Sequence, residues 1–240
     1  MSKRNLGVAV ECYFKAIPLL FSFRLRKYVI YSGIISFMLF AGLVVSLWAL
    51  SASLASYLLE MLPYQPEWAT LLLTWLLKFA GWFVVVQFYK YIILIVLSPV
   101  LSTLSEKIEL YESGTIQHTN HSFWKSIPRS LRINLVNLTK ELTITMLLFL
   151  LSLIPGMFLF TGPLLLLVQF YFIGFGILDF YFERYLSYQA TKEEVWDNLF
   201  FTLMTGFIFL ILFAIPVIGA VTAPLICTAA STLYLMPKTH

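Results

Sequence analysis

Long apolar stretches dominate the chain and predict its architecture. Three stretches carry no charged residue, namely 28–59, 142–178 and 198–237, and a fourth, 68–97, carries only two lysines. A helix needs ~20 apolar residues to cross a bilayer, so each stretch is long enough to span one. The pattern predicts an all-helical integral membrane protein, formed as one membrane domain over 1–240.

The first two stretches predict two long transmembrane helices, 28–59 and 68–97. At 1.5 Å per residue, about 32 residues would reach ~48 Å, so the first helix must tilt or project beyond a ~30 Å hydrocarbon core. The segment 60–67, with Pro63 and Pro66, predicts the turn between the two helices. The pair Ser98-Pro99 predicts the end of the second helix.

More polar segments flank the spans and predict amphipathic interfacial helices. Residues 5–23 mix basic and apolar positions, which favours a helix in the headgroup plane, with a frayed basic tail as the alternative. Residues 98–141 predict a cytoplasmic helical segment, whose second helix begins near Ile127. Its first helix carries Glu106 and Glu109, which form either a solvated face or a gate closed by a salt bridge.

Prolines interrupt the last two apolar stretches and predict two helical hairpins, 142–178 and 198–236. The breaks are expected at Pro155 and Pro163 in the first hairpin, and at Pro216 and Pro224 in the second. Cutting the stretches there leaves segments of about 10–18 residues, at or below the length needed to span a bilayer. Each hairpin therefore enters from one face and either turns back inside the membrane or crosses it.

The two hairpins form an internal repeat. Ile154-Pro155 matches Ile215-Pro216, and Thr161-Gly162-Pro163-Leu164 matches Thr222-Ala223-Pro224-Leu225, both at an offset of 61 residues. Paired apolar segments interrupted by proline point to a transport path. The alternative is a duplicated packing module with no solute near it.

Basic residues are distributed asymmetrically about the spans. Of sixteen Lys and Arg residues, fourteen lie in 1–27, 98–141, 179–197 or at position 238, whereas the 60–67 turn has none. The positive-inside rule then predicts both termini in the cytoplasm of a multi-pass protein of the inner (plasma) membrane.

Five basic residues are candidates for binding or conducting an anion. Arg24, Arg26 and Lys27 precede the first span, where a helix start with free N–H groups and adjacent cations favours an oxyanion; the alternative is a membrane anchor. Lys78 and Lys90 lie inside the second span and either line a pathway or snorkel to an interface. No acidic residue lies inside an apolar stretch, which argues against a carboxylate proton relay.

Other functions find little support in the sequence. GxxxxGK, HExxH and GxSxG motifs are absent, so no enzyme activity or cofactor is predicted. Cys12 and Cys227 are far apart in apolar surroundings, and His118 and His121 have no further ligands nearby, so no disulfide or metal site is predicted. The net charge of +4 does not favour nucleic acid.

Several short motifs, in this order, resemble those of the CysZ-type sulfate permeases, which are grouped with the eukaryotic etoposide-induced membrane proteins. The likeness extends from about residue 10 to 236. The motifs that carry it are Arg24-Leu25-Arg26-Lys27-Tyr28, Ser98-Pro99, Leu104-Ser105-Glu106-Lys107-Ile108-Glu109, Ile127-Pro128-Arg129, Ile154-Pro155-Gly156, Leu178-Asp179-Phe180 and Ile215-Pro216.

This resemblance implies two long spanning helices, two hemi-penetrating hairpins, a homo-oligomer, and sulfate uptake for cysteine synthesis. It places Arg26 and Lys27 at the family's anion-binding arginine pair. Arg24 stands where the family has glycine, and Lys27 replaces the second arginine and its bidentate fork. The rival hypothesis is a non-transport scaffold or lipid-handling membrane protein, as the eukaryotic relatives suggest.

Overall fold

A computed structural model of the protein describes residues 6–22, 25–60, 67–114, 126–215 and 218–236. The regular elements of the described segments are all helices, as predicted. The helices are α1 (Leu6–Leu20), α2 (Arg26–Glu60), α3 (Glu67–Ser113), α4 (Ser126–Ser152), α5 (Phe158–Phe182), α6 (Tyr188–Asp197), α7 (Leu199–Phe213) and α8 (Ile218–Leu235).

Five of the described helical stretches are long and apolar enough to cross a membrane. They are Arg26–Ser46, Phe88–Ser113, Ile127–Ser152, Phe158–Phe182 and Ile218–Leu235. A sixth arises if α6 and α7, which meet at a 90° bend, count as one broken span. The protein is therefore a multi-span membrane protein.

The helix α3 continues through Pro99, so the predicted end at Ser98-Pro99 is wrong. Proline has no N–H to donate to the carbonyl four residues earlier, which here belongs to Ile95. The Ser98 hydroxyl donates to that carbonyl at 2.7 Å instead. The serine thus replaces the missing backbone bond, and one helix carries both the apolar span and the Glu106–Glu109 region.

One further boundary differs from the prediction. The helix α4 runs from Ser126 to Ser152 without a break, so the predicted amphipathic helix and the first arm of the hairpin are one element.

Helix α1 is formed from Leu6 to Leu20 with Pro18 in its last turn, which excludes a frayed tail over that range. Ala9, Ala16 and Leu20 are buried, while Phe14 and Ile17 are exposed.

The break predicted at Pro155 is present. Pro155 lies in the connection between α4 and α5, where Gly156 adopts φ +84°, a conformation that favours glycine. The end of α4 at Ser152 and the end of α7 at Phe213 are 61 residues apart, like the motifs. Pro216 lies outside the described residues.

Pro163 and Pro224 do not break helices, contrary to the prediction. Each lies in the second turn of its helix, α5 or α8, where a proline removes only one backbone bond. For Pro224 the carbonyl left without that bond belongs to Ala220, and the Ser36 hydroxyl of α2 donates to it at 3.4 Å. Tertiary contact therefore stabilises a helix that the sequence alone predicts to end.

Consecutive helices form two antiparallel pairs, pair A (α4 and α5) and pair B (α7 and α8). In pair A, Asn137 bonds the Phe172 carbonyl while Arg129, two turns earlier, bonds Asp179. In pair B, the rings of Phe201 and Tyr234 stack at 3.7 Å between centroids. Helix α8 lies at the centre, in contact with α1, α2, α3, α5 and α7.

The two pairs meet where α5 crosses α7. A Cβ at Gly174 would collide with the Thr202 carbonyl, and a Cβ at Gly206 would collide with the Phe170 carbonyl. The two glycines thus permit a close backbone approach, as small residues do between membrane helices. The interface between the pairs is closely packed at this point.

Candidate functional site

The predicted anion-binding residues stand at the start of α2. The helix begins at Arg26, and both Arg26 and Lys27 are exposed. The Lys27 ammonium lies 5.2 Å from the centroid of the Tyr28 ring. Arg24 lies outside the described residues. Two neighbouring cations are therefore presented to the surface at a helix start.

The backbone N–H groups at the start of α2 are less available to an anion than predicted. The Arg26 N–H donates to the Ser22 carbonyl and the Tyr28 N–H to the Leu25 carbonyl, both at 3.0 Å. The preceding turn thus provides acceptors for two of the first three N–H groups of the helix. The prediction of free N–H groups is wrong at these two positions, so an anion here would rely on side chains.

The two lysines of α3 differ sharply. Lys90 is 1% exposed, so the prediction that it snorkels to an interface is wrong within this chain. Its ammonium lies 2.6 Å from Oε1 of Glu141 on α4, and the Tyr91 hydroxyl donates to the other carboxylate oxygen. Lys78 is exposed, with its ammonium 5.4 Å from the Trp75 ring centroid.

A second buried ion pair joins α3 to the segment that follows α5. The Arg184 guanidinium donates to Glu109 Oε2 at 2.8 Å, and the Tyr185 hydroxyl donates to the same oxygen at 2.7 Å. Burial, and then the bond to Glu109, raise the pKa of Tyr185 to about 12, so the phenol keeps its proton at neutral pH. Glu106 is half-buried nearby on α3. Glu109 thus forms a salt bridge with Arg184, which is 75 positions away in the sequence.

A third ion pair, between a part-buried guanidinium and a buried carboxylate, fixes the junction of α4, α5 and α6. The Arg129 guanidinium donates from two nitrogens to the Asp179 carboxylate, at 2.7 and 3.3 Å. It also donates to the Leu186 carbonyl at 2.7 Å and to the Thr191 hydroxyl at 3.0 Å. This four-bond arrangement uses the bidentate fork of arginine, and it holds α6 against pair A.

Sequence reasoning missed these pairings. Glu141 and Asp179 are the two charges that bound the third apolar stretch, and Arg129 and Arg184 lie close to them in sequence. A charge at the edge of an apolar stretch is normally solvated, so its position did not indicate burial. The available signal was that residues of both charge signs stand on each side of the stretch.

Buried hydroxyl groups lie on α2, α3 and α8, three helices that contact one another, and we name this set the hydroxyl seam. The residues are Ser32 and Ser36 of α2, Ser98, Ser102 and Ser105 of α3, and Thr228, Ser231 and Thr232 of α8. Ser105 and Thr232 pair at 2.7 Å between oxygens. The hydroxyls of Ser32, Thr228 and Ser231 make no hydrogen bond to any described residue.

Metal ligands are not grouped in the described part of the chain. Within it, no three His, Cys, Asp or Glu side chains are placed to hold a metal ion. His118 and His121 lie outside the described residues. Cys12 and Cys227 are buried thiols.

The helices and buried charges define a polytopic membrane protein whose interior combines ion pairs with a hydroxyl seam. Over residues 12–224, the chain matches the family described as sulfate transporter CysZ/etoposide-induced protein 2.4. The protein belongs to this family, which includes sulfate transporters, and the resemblance found in the sequence motifs is confirmed. No curated protein matches the chain.

Proposed function

We propose that the protein is a permease or channel for a small oxyanion, with sulfate as the first candidate, and that it supplies sulfate for cysteine synthesis. Family membership supports a transport function. The observation that carries the proposal is the hydroxyl seam, two of whose serines, Ser32 and Ser36, lie on the helix that begins with Arg26 and Lys27.

The seam suits an oxyanion that has lost part of its hydration shell. Buried hydroxyls are normally hydrogen-bonded, yet Ser32, Thr228 and Ser231 are not. Hydroxyl groups can donate to sulfate oxygens without placing a fixed charge in the membrane. Ser32 is six residues beyond Arg26, a rise of roughly 9 Å along a helix. The exposed cations would attract the anion, and the hydroxyls would receive it.

The ion pairs have a different role in this proposal. Lys90 is neutralised by Glu141, so we exclude it from the anion pathway and leave Lys78 as an optional pathway residue. Glu106 and Glu109 stay the proposed gate, with Arg184 as the partner that holds Glu109. Opening such a gate would require that the 2.8 Å contact between Arg184 and Glu109 be broken.

Exposure along pair A supports the proposal that the hairpins only partly penetrate the bilayer. In α5 every residue from Phe172 to Phe182 is buried, whereas large apolar side chains from Phe158 to Leu167 are exposed. The 14 residues from Phe158 to Tyr171 rise roughly 20 Å, less than a ~30 Å hydrocarbon core. Depth-dependent quenching by spin-labelled lipids tests this: a label at 155 reaching the far headgroup layer would contradict partial penetration.

We also propose that both termini are cytoplasmic in a plasma (inner) membrane. The basis is the distribution of Lys and Arg about the spans. Single cysteines at positions 64 and 118, labelled with an impermeant reagent, provide the test. Position 64 should react only from outside and position 118 only from inside, and the reverse pattern would contradict this orientation.

A homo-oligomer is the proposed assembly, on the basis of the family resemblance. The exposed apolar side chains of α2, such as Ile30 and Phe37, offer a surface for a second copy as well as for lipid. Light scattering of the purified detergent complex, corrected for bound detergent, would give the copy number. A mass of one chain would contradict this proposal.

Uptake of labelled sulfate into proteoliposomes tests the transport function, with phosphate and chloride as competing anions. Replacing Arg26 and Lys27 by glutamine should weaken sulfate binding about tenfold or more, because charge-assisted bonds are lost. The matched control replaces Lys15 and Lys140, two exposed cations elsewhere, by glutamine. Equal affinities in the two double variants would reduce Arg26 and Lys27 to membrane anchors.

The seam can be tested separately from folding. Changing Ser32 and Ser231 to alanine and Thr228 to valine removes hydroxyls that make no hydrogen bond, so stability should be kept. Uptake should fall, since the anion loses its donors. Unchanged uptake in this triple variant would exclude the seam as the pathway.

A non-transport scaffold is the second candidate, and one observation favours it. The close approach of α5 and α7 leaves no room for a solute at their crossing, where a polar path between the hairpins was expected. Sulfate permeability no greater than that of empty liposomes, with the protein correctly folded, would favour the scaffold.

A further inference from the structure

A cleft of ≈ 410 Å³ lies beside α6, away from the hydroxyl seam. Its lining consists of Tyr171 of α5 and five residues of α6, namely Gln189, Lys192, Glu193, Trp196 and Asp197. We propose that this cleft binds the headgroup of a zwitterionic phospholipid with a primary amine, of the phosphatidylethanolamine class. The proposal is independent of the anion transport proposed above.

The spacing of the lining residues sorts them into two chemically distinct rows. Gln189, Glu193 and Asp197 follow one another at four-residue intervals, as do Lys192 and Trp196, so each set forms one row on the helix surface. One row therefore presents two carboxylates, and the adjoining row presents an ammonium group. This arrangement complements a headgroup that carries an ammonium and a phosphate a few atoms apart.

The charge of the lining separates this cleft from an anion site. One lysine stands against two carboxylates, a formal charge of −1. A free dianion such as sulfate, or a lipid with an anionic headgroup, would be repelled overall. A zwitterion can place its phosphate on Lys192 and its amine on Glu193 and Asp197, so both signs of charge are matched.

The cleft also lies where the chain changes from lipid-facing to protein-covered. Tyr171 separates the exposed half of α5 from its buried half. Its ring contacts that of Trp196 edge-to-face, at 6.4 Å between centroids. Tyrosine and tryptophan are typical of the membrane interface, and α6 turns by 90° from the apolar α7, as expected of a helix in the headgroup plane.

Helix α6 is held firmly, so its lining residues are fixed before a ligand arrives. Thr191 and Val195 are fully buried on the opposite face. Thr191 receives a bond from Arg129 at 3.0 Å, and the Ser187 side chain caps the helix start by accepting from the Ala190 N–H at 3.4 Å. Pre-organisation of this kind favours a specific site over loose lipid contact.

The test uses the full-length protein in mixed micelles containing equal amounts of phosphatidylethanolamine and phosphatidylglycerol, with bound lipids counted by native mass spectrometry. The wild-type protein should retain the amine lipid in preference by about tenfold, the effect of one charge-assisted bond. Changing Glu193→Gln and Asp197→Asn together turns the lining to a formal charge of +1, and should reverse the preference toward phosphatidylglycerol. Lys192→Gln should lose the amine lipid without gaining the other.

Glu194→Gln is the matched control, since Glu194 is on the same helix but does not line the cleft. It should keep the wild-type preference. Thermal unfolding of each variant checks that folding is unchanged. Equal retention of the two lipids by the wild type, or an amine preference that survives the Glu193/Asp197 double change, would overturn the proposal.

Discussion

Pair A and pair B share a sequence repeat but are attached to the protein by different forces. All three buried ion pairs of the described residues involve pair A or the residues just beyond it, through Arg129, Glu141, Asp179 and Arg184. Pair B has no charged residue and is held by close backbone contacts, stacked rings and hydroxyl bonds. A shared helical break therefore does not imply a shared environment.

Residues at matched positions of the repeat show how the difference arises. Gly162 in pair A has open space where a Cβ would stand, whereas its counterpart Ala223 in pair B is fully buried. Phe158 is 61% exposed, whereas Gly219, 61 residues later, packs against the Leu212 carbonyl. Small residues let α8 occupy the centre of the protein, and large apolar residues keep the first half of α5 at the lipid-facing surface.

The largest expected effect comes from the charge that fixes pair A to α3. Glu141→Ala would leave Lys90 buried without its carboxylate, and Tyr91 without its acceptor. Removing one partner of a buried ion pair costs about 3–5 kcal/mol. We expect the free energy of unfolding, measured by denaturant titration in detergent micelles, to fall by that amount.

Lys140→Ala is the matched control for this change, because Lys140 is the neighbouring residue but is exposed. Its effect should stay within about 0.5 kcal/mol, as for other surface substitutions. Similar losses in the two variants would mean that pair A is not held by this ion pair.

The next largest effect tests the packing of pair B. Ala223→Leu would force a larger side chain into the filled interior around α8, and overpacking of this kind costs roughly 1–3 kcal/mol. Gly162→Leu makes the equivalent change at the matched position of pair A, where the side chain has room. It should be neutral or slightly stabilising, because leucine favours a helix more than glycine does. Thermal unfolding of both variants gives the comparison, and equal losses would contradict it.

Apolar length and proline position were enough to predict much of this fold. The helices, the membrane class and the break at Pro155 all follow from local sequence. The prediction failed where a side-chain hydroxyl replaced a lost backbone bond: Ser36 of α2 supports the helix around Pro224, and Ser98, next to Pro99, supports its own helix. At Pro224 the replacing donor belongs to another helix, so only the folded structure shows that it is near.

The candidate site was predicted less completely. The start of α2 at Arg26 follows from the sequence, because the basic residues stop where the apolar stretch begins. The ion pairs do not follow, because each joins residues 50 to 75 positions apart. The hydroxyl seam was missed for a similar reason: serine and threonine in an apolar stretch can bond to their own helix, and their burial appears only when the three helices are packed together.

The smallest expected effect probes the hydroxyl bonds that attach pair B to α3. Thr232 donates to the Thr228 carbonyl of its own helix at 2.8 Å, so Ser105 is the donor in the 2.7 Å contact between the two hydroxyls. Thr232→Val keeps the side-chain shape but leaves the buried Ser105 without its acceptor, which costs about 1 kcal/mol. Thr222→Val is the control, because Thr222 bonds only the Ile218 carbonyl of its own helix, at 2.9 Å, and should change the free energy of unfolding by less. A Thr232→Val variant as stable as wild type would show that packing alone attaches pair B. The two pairs would then differ even more, because pair A is attached by ion pairs and pair B by no polar side-chain bond to α3.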